Sequence, residues 1–110
     1  MARFVKGDVV VVPFPFSDLT QAKRRPALVV AGLQGDDLIL CQITSQLFRD
    51  QYSVAIDSDD FELGGLRQIS NARPNRLFTT DQQIVLYKAG HLKPVKTDEV
   101  IAKIVEILQR

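Results

Sequence analysis

The sequence predicts a mostly β fold, a compact antiparallel barrel of short strands followed by one C-terminal helix. The first indication is three short apolar runs, at 9–12, 27–31 and 38–43, which are typical of buried strands. The second is Gly35-Asp36-Asp37, whose turn chemistry predicts a hairpin between the second and third runs. The third is a helical apolar stripe near the C-terminus. Short strands closed by tight turns in a chain of 110 residues favour a barrel over a sandwich.

Further strands are predicted in the second half of the chain. The segment 52–56 alternates larger apolar residues with the small residues Ser53 and Ala55, which is the in–out pattern of a half-exposed strand. The segments 66–69 and 84–87 are predicted as strands as well. Gly64-Gly65, directly before the first of these, is predicted to form a bend or a bulge.

The helix is predicted to follow Pro94, with Thr97 as its N-cap and the acids 98–99 at the positive end of its dipole. The residues of its apolar stripe are Val100, Ile101, Ile104, Val105 and Leu108. We expect this stripe to pack within the chain. The three central strands are apolar on both faces, and one helix covers only part of that surface. A second subunit would cover the rest, so we predict a homodimer.

Composition predicts a single globular domain, 1–110, because the chain is 45% apolar and 25% charged. No apolar run approaches the roughly 20 residues that a membrane span needs, and the N-terminal residues do not resemble a signal peptide. We therefore expect a cytoplasmic protein without a membrane partner. The single cysteine, Cys41, lies within an apolar run and is predicted to be a buried core residue.

The net charge of +1 gives no support for nucleic-acid binding, so any positive surface must arise from clustering. One basic cluster is Lys23-Arg24-Arg25, and a second comprises Arg67, Arg73 and Arg76. The acids gather elsewhere, at 57–60 and 98–99. The sequence leaves open whether the two basic clusters meet in the fold.

Several kinds of chemistry have no support in the sequence. No His, Cys, Asp or Glu residues recur at metal-ligand spacing, and there is no phosphate-binding or dinucleotide-binding glycine motif, so no metal or cofactor is expected. The segment 57–60 lacks the glycine and bidentate glutamate of a calcium loop and is interpreted as a solvated acidic turn. His91 is the only histidine and is interpreted as a structural or surface residue.

Two strand ends have the composition of an anion site. Arg25 precedes Pro26 at the start of one apolar run, and Thr44 and Ser45 follow another. A guanidinium provides a planar fork of donors, and two adjacent hydroxyls can donate to the same anion, for which a phosphodiester is the best candidate. The irregular connection 13–22 leads into this region, and two interpretations stay open: a functional loop, or a surface segment whose phenylalanines pack locally.

These motifs, in this order, resemble the MazF/PemK family of toxin endoribonucleases from bacterial toxin–antitoxin pairs. The resemblance rests on 7–12, on the Gln-Ala-Lys-Arg-Arg-Pro segment 21–26, and on Ile-Thr-Ser at 43–45. It covers most of the chain from Val5 onwards and is weakest between 48 and 77. It implies an SH3-like barrel of the CcdB/Kid/MazF type with a C-terminal helix. It also implies that Arg25 and Thr44 are the main catalytic pair.

The chain departs from the family pattern at two places. Many members carry a glutamate directly before the segment 21–26, where this chain has Thr20. Many also carry an arginine and an aspartate before the last strand, where this chain has Ser70 and the stretch from Asn71 through Ala72 to Arg73. The pattern here is similar to a PemK-like subgroup, in which we expect Arg73 to supply the missing cation. The general base is left unassigned.

The resulting hypothesis is metal-independent cleavage of single-stranded messenger RNA by attack of a 2′-hydroxyl on the adjacent phosphorus. The residues expected to catalyse it are Arg25, Thr44 and Ser45. Those expected to bind RNA are Gln21, Lys23, Arg24, Gln46, Ser70, Arg73 and Arg76. The expected partners are RNA, a cognate antitoxin and a second copy of the chain. Two alternatives stay open, a CcdB-like poison of gyrase and a catalytically silent RNA-binding barrel.

Overall fold

The computed structural model describes residues 4–14, 23–46 and 50–110, and for residue 14 only the backbone. It contains seven strands and one α-helix among these residues. The strands are β1 (Asp8–Phe14), β2 (Lys23–Gly32), β3 (Asp37–Thr44), β4 (Val54–Ile56), β5 (Phe61–Gly64), β6 (Ser70–Asp81) and β7 (Tyr87–Leu92). The helix is α1 (Pro94–Leu108), and two single-turn 3₁₀ helices lie at Ser58–Asp60 and Gln82–Ile84.

All seven strands belong to one sheet in the order β4-β6-β3-β2-β1-β7-β5, and every neighbouring pair is antiparallel. The sheet curls into a half-barrel, and α1 follows the last strand. The predicted mostly β, antiparallel SH3-like barrel with a C-terminal helix is therefore confirmed. The predicted hairpin joins β2 to β3, with Gly35 at a φ of 77°.

The central strands bury side chains on both faces, as their uninterrupted apolar sequence predicts. On β2, Leu28 packs into one core, whereas Ala27 and Val29 pack into the other. The first core includes Val100 and Ile104 of α1. The second core is flanked by three partly buried side chains, those of Phe4, Phe78 and Val85. The helix therefore covers one face of the sheet only.

Two strand predictions in the second half of the chain were wrong. The segment 66–69 is not a strand; it is irregular and connects β5 to β6. The segment 84–87 overlaps a 3₁₀ turn, and the strand there begins only at its last residue. The longest strand, β6, was missed because its residues are mainly polar and it lacks an apolar run. Its pairing with β3 and β4 holds it in the sheet, so tertiary contacts override the local signal.

The helix begins one turn earlier than predicted. Pro94 occupies the first turn, and the N-cap is Lys93, whose side chain makes no capping hydrogen bond. Thr97 is thus inside the helix, and its buried hydroxyl has no hydrogen-bond partner among the described residues. Of the predicted stripe, Val100 and Ile104 are buried, while Val105 and Leu108 are 45% and 72% exposed. The helix is neither long nor apolar enough to cross a membrane, and no other described helix is.

Gly64 ends β5 with a φ of 68°, within the predicted bend. A Cβ there would overlap the carbonyl oxygen of Ala89 and the Cα of Gly90 on the neighbouring strand. We expect Gly64→Ala to lower the free energy of unfolding by at least about 2 kcal/mol, because it adds backbone strain and a steric overlap. Urea unfolding followed by circular dichroism measures this.

The matched control for that experiment is Gly65→Ala. A Cβ at Gly65 meets no atom within 4 Å, and its φ is not positive. We expect a change within about 0.5 kcal/mol, as at an ordinary surface position. Equal stability of the two alanine variants would contradict the steric argument.

Candidate functional site

A pocket of about 290 Å³ lies where β2 begins and β3 ends. Its basic and hydroxyl-bearing lining residues are Arg24, Arg25, Arg67, Thr44, Ser45 and Ser70. Three apolar side chains, those of Pro26, Ile43 and Leu66, complete the lining together with Gln68. Both strand ends that the sequence singled out therefore contribute to one pocket.

The register of the sheet explains why these two strand ends meet. Ala27 lies opposite Gln42, and Leu28 lies opposite Cys41. Continuing that antiparallel register by two residues places Arg25 opposite Thr44, just beyond the last paired residues. On its other side Arg25 pairs with Val12 of β1. Pairing with β1 thus fixes the backbone of Arg25. The pairing between β2 and β3 ends at Ala27 and Gln42, so Arg25 and Thr44 lie just beyond it.

Thr44 is held by a local network. Its side chain is buried, and its Oγ1 accepts a hydrogen bond of 3.1 Å from the backbone N–H of Gln46. Asn71, which lies opposite Thr44 in β6, donates from Nδ2 to the carbonyl oxygen of Gln46 at 3.2 Å. Because Thr44 accepts in this turn, its hydroxyl hydrogen is available to donate to a bound anion.

The opposite wall of the pocket is the irregular segment 66–69, and Ser70 anchors it. Ser70 is buried, and its Oγ donates to the carbonyl oxygen of Gln68 at 3.0 Å. Because the hydroxyl hydrogen of Ser70 is used in this bond, Ser70 holds the segment 66–69 in place and does not donate to a ligand at the same time. The wall carries Arg67, which was noted as part of a basic cluster but not selected as a site residue.

The pocket has three arginines, Arg24, Arg25 and Arg67. Among the described residues, none of them forms an ion pair or a side-chain hydrogen bond. Arg25 is half-buried, and the other two are exposed. Three like charges in one cleft, with no acid among its described lining residues, create a positive potential that favours a bound anion. The planar guanidinium fork suits the oxygens of a phosphate in particular.

Arg73 is placed differently from the sequence-based expectation. It is 9% exposed, and its guanidinium lies 3.3 Å from the Asp50 carboxylate, outside the pocket lining. Hydrogen bonds from the backbone N–H and hydroxyl of Ser53, with smaller contributions from Tyr52 and Arg73, lower the pKa of Asp50. The stabilisation from this carboxylate is therefore present above the ordinary aspartate pKa and is lost as the pH falls through its lowered value.

Two of the expected RNA-binding residues, Arg24 and Ser70, line the pocket, and three further described ones do not. Lys23, Gln46 and Arg76 are exposed and border no part of it. Gln21 and the rest of the segment 15–22 lie outside the described residues. The pocket thus unites Arg24, Arg25 and the three hydroxyl residues, and it adds Arg67 and Gln68 to them. The one sequence signal for Arg67 was its membership of the second basic cluster.

The residues interpreted as structural have structural surroundings. His91 on β7 has its Nδ1 atom 2.7 Å from Oδ1 of Asp8, a buried residue on β1. The acidic turn carries a capping box between Asp57 and Asp60. Burial raises the pKa of Cys41 to about 12, which leaves the thiol protonated and unreactive at neutral pH. Within the described ranges, no group of three His, Cys, Asp or Glu side chains could hold a metal ion.

The fold is that of a small β protein, a curled antiparallel half-barrel with one C-terminal helix, and it has an arginine-lined cleft at one sheet end. Within this class of small β proteins, the chain belongs to the PemK-like, MazF-like toxins of type II toxin–antitoxin systems, whose family model matches residues 5–108. A search among curated proteins found no match.

Solved structures show the same fold at low sequence identity. An endoribonuclease in complex with its cognate antitoxin, from a mycobacterial species, superposes with a TM-score of 0.75 at 14% identity, covering 96% of this chain and 95% of that one. MazF from Deinococcus radiodurans gives 0.74 at 18% identity, with 97% of both chains covered. A MazE–MazF complex from the same organism gives 0.75 at 17% identity, with 96% of both chains covered.

Proposed function

We propose that this chain is the toxin of a type II toxin–antitoxin system and cleaves single-stranded RNA, mainly messenger RNA, as an endoribonuclease. The observation that carries the proposal is the pocket lined both by three arginines, which have no carboxylate partner among the described residues, and by Thr44 and Ser45. Family membership and the endoribonucleases among the similar structures support it.

In the proposed reaction, the 2′-oxygen attacks the adjacent phosphorus and loses its proton, while the 5′-oxygen leaves and gains one. The products are a 2′,3′-cyclic phosphate and a free 5′-hydroxyl. Negative charge builds on the nonbridging oxygens of the phosphorus as the new bond forms. Arg25 stabilises that charge, and the hydroxyls of Thr44 and Ser45 donate to the same oxygens. Arg24 and Arg67 hold the flanking phosphates and align the attacking oxygen.

Proton transfer is the part of this reaction with the least support in the pocket. No carboxylate or imidazole lies among the described lining residues, so none of them is a conventional general base. This observation favours a second candidate function, a catalytically silent domain that binds RNA in the same cleft. A CcdB-like poison of gyrase would leave the pocket unused.

The proposed partners follow from the family. Two of the similar structures are complexes, an endoribonuclease with its cognate antitoxin and MazE with MazF. We propose that a cognate antitoxin neutralises this chain in the cytoplasm. We also propose a homodimer, because α1 covers one face of the sheet while apolar side chains such as Leu86 and Tyr87 remain 46% and 53% exposed.

The experiment that tests the function is incubation of the purified protein with a defined single-stranded RNA in excess chelator. We expect cleavage to persist, and the fragments to carry a cyclic phosphate or 3′-phosphate and a 5′-hydroxyl. End-group analysis by mass spectrometry distinguishes these termini. RNA binding without any cleavage would select the silent domain, and a 5′-phosphate product would require a different mechanism.

A further inference from the structure

A second pocket lies on the other side of the irregular segment 66–69. Its volume is about 370 Å³, within the roughly 300–1,000 Å³ that small-ligand sites span. Leu66, Arg67 and Gln68 line both this pocket and the arginine-lined one, so a single wall separates them. A ligand whose phosphate occupies the first pocket can therefore extend directly into the second.

The second pocket shares Arg67 with the first, but it also has two carboxylates and an apolar floor. Its floor includes Ile56 and Phe61, which are 1% and 8% exposed, and the apolar side chain of Ile69 stands at its rim, 73% exposed. Its polar side is the acidic turn that carries Asp57 and Asp59. Two carboxylates beside the single Arg67 make this pocket less favourable for a phosphate than the first, and its apolar surfaces favour a flat, uncharged group.

The acidic turn is rigid and has free acceptor capacity. Asp57 Oδ1 accepts from the backbone N–H of Asp59 at 2.9 Å, and Asp60 Oδ2 accepts from the N–H of Asp57 at 2.9 Å. These bonds fix the turn. The carboxylate of Asp59 has no hydrogen bond or ion pair among the described residues, so both of its oxygens can accept.

We propose that the second pocket binds the nucleobase next to the phosphate held by the arginines, and that it selects a base with an exocyclic amino group. Adenine, cytosine and guanine carry such a group, and uracil does not. The amino group donates to the Asp59 carboxylate, and Phe61, Ile56 and Ile69 contact the ring. This inference rests on the proposed function, because it takes the occupant of the first pocket to be an RNA phosphate.

The test measures binding, so that it does not depend on cleavage. The probe is a randomised ten-nucleotide single-stranded pool of deoxynucleotides, with deoxyuridine in place of thymidine, which lacks the 2′-hydroxyl. Sequencing of the bound fraction is expected to show one position where amino-bearing bases exceed uracil by about tenfold. Replacing the enriched base there with an analogue that lacks the amino group is expected to weaken binding by a similar factor.

Asp59→Asn is expected to reduce that preference to about threefold or less, because a neutral acceptor binds an amino group more weakly than a carboxylate does. Asp60→Asn is the matched control. It removes the same charge from the same turn and weakens an ion pair with Lys96, but its amide oxygen can still accept from the Asp57 N–H, and Asp60 does not line the pocket. Thermal unfolding verifies that both variants fold.

Two results would overturn the inference: no amino preference in the wild-type protein, or the same preference in Asp59→Asn. Failure of the proposed function is a separate outcome. In that case the wild-type protein leaves RNA intact in the cleavage assay, while the base preference in the uncleavable pool and its loss in Asp59→Asn persist. A protein that cleaves RNA but shows no Asp59-dependent preference keeps the function and loses the base site.

Discussion

Replacing Arg25 with alanine is expected to lower the rate of RNA cleavage by about 10²–10³-fold, the usual effect of losing one preorganised donor at a site of developing charge. Arg25 lies at the open end of the β2–β3 ladder and lines the pocket beside Thr44. Lysine at this position should restore little, because an ammonium lacks the planar pair of donors. Single-turnover kinetics on a defined RNA measures the effect.

The affinity for RNA should change much less than the rate, because Arg24 and Arg67 remain in the pocket. Arg110→Ala is the control, since it removes the same charge from an exposed position just after α1 that does not line the pocket. We expect that variant to cleave at nearly the wild-type rate. If the Arg25→Ala protein is folded and cleaves RNA at the wild-type rate, Arg25 has no catalytic role.

Thr44→Val is expected to lower the cleavage rate by about 10²-fold, because it removes a hydroxyl donor while nearly preserving the shape of the side chain. The Thr44 hydroxyl also accepts from Gln46, so some loosening of that turn accompanies the change. Thr44→Ser keeps the hydroxyl and should retain most of the activity, which separates the donor from the methyl group. The same single-turnover assay measures all three proteins.

Thr79→Val provides the control for a hydroxyl lost elsewhere on the sheet. Thr79 is exposed on β6, opposite Ile39, and lies outside the pocket. We expect no change in rate. If Thr44→Val cleaves as fast as Thr79→Val, the hydroxyl of Thr44 takes no part in the chemistry.

The part of the site that could be predicted from sequence lies at the ends of buried strands. The strands β1, β2 and β3 are apolar on both faces, so each appears in the sequence as an uninterrupted apolar run. The polar residues at the ends of these runs can therefore be recognised from the sequence as well. Arg25 and Thr44 were found for this reason. The antiparallel register then brings these two residues together, as a hairpin between neighbouring strands requires.

The rest of the site depends on tertiary contacts that leave no periodic pattern. β6 is polar along most of its length and is defined by its pairing with β3 and β4. The segment 66–69, which carries Arg67, is irregular, and it is held beside the pocket by the hydrogen bond from Ser70 to Gln68 and by the packing of Leu66 against the first core. Arg73 belongs to the same basic cluster, yet Asp50, 23 residues away, holds it elsewhere. Charge clustering in the sequence could not distinguish these two arginines.

The central claim is that the arginine-lined pocket cleaves RNA through the 2′-hydroxyl of its substrate. Its most direct test compares a defined single-stranded RNA with the same RNA carrying a single 2′-deoxynucleotide at the bond that the wild-type protein cuts. The account predicts that cleavage at that bond falls below detection in the substituted RNA. Binding and cleavage at any other site should be unchanged. Cleavage of the substituted bond at the unmodified rate would contradict the account, because no nucleophile would remain there for the pocket to align.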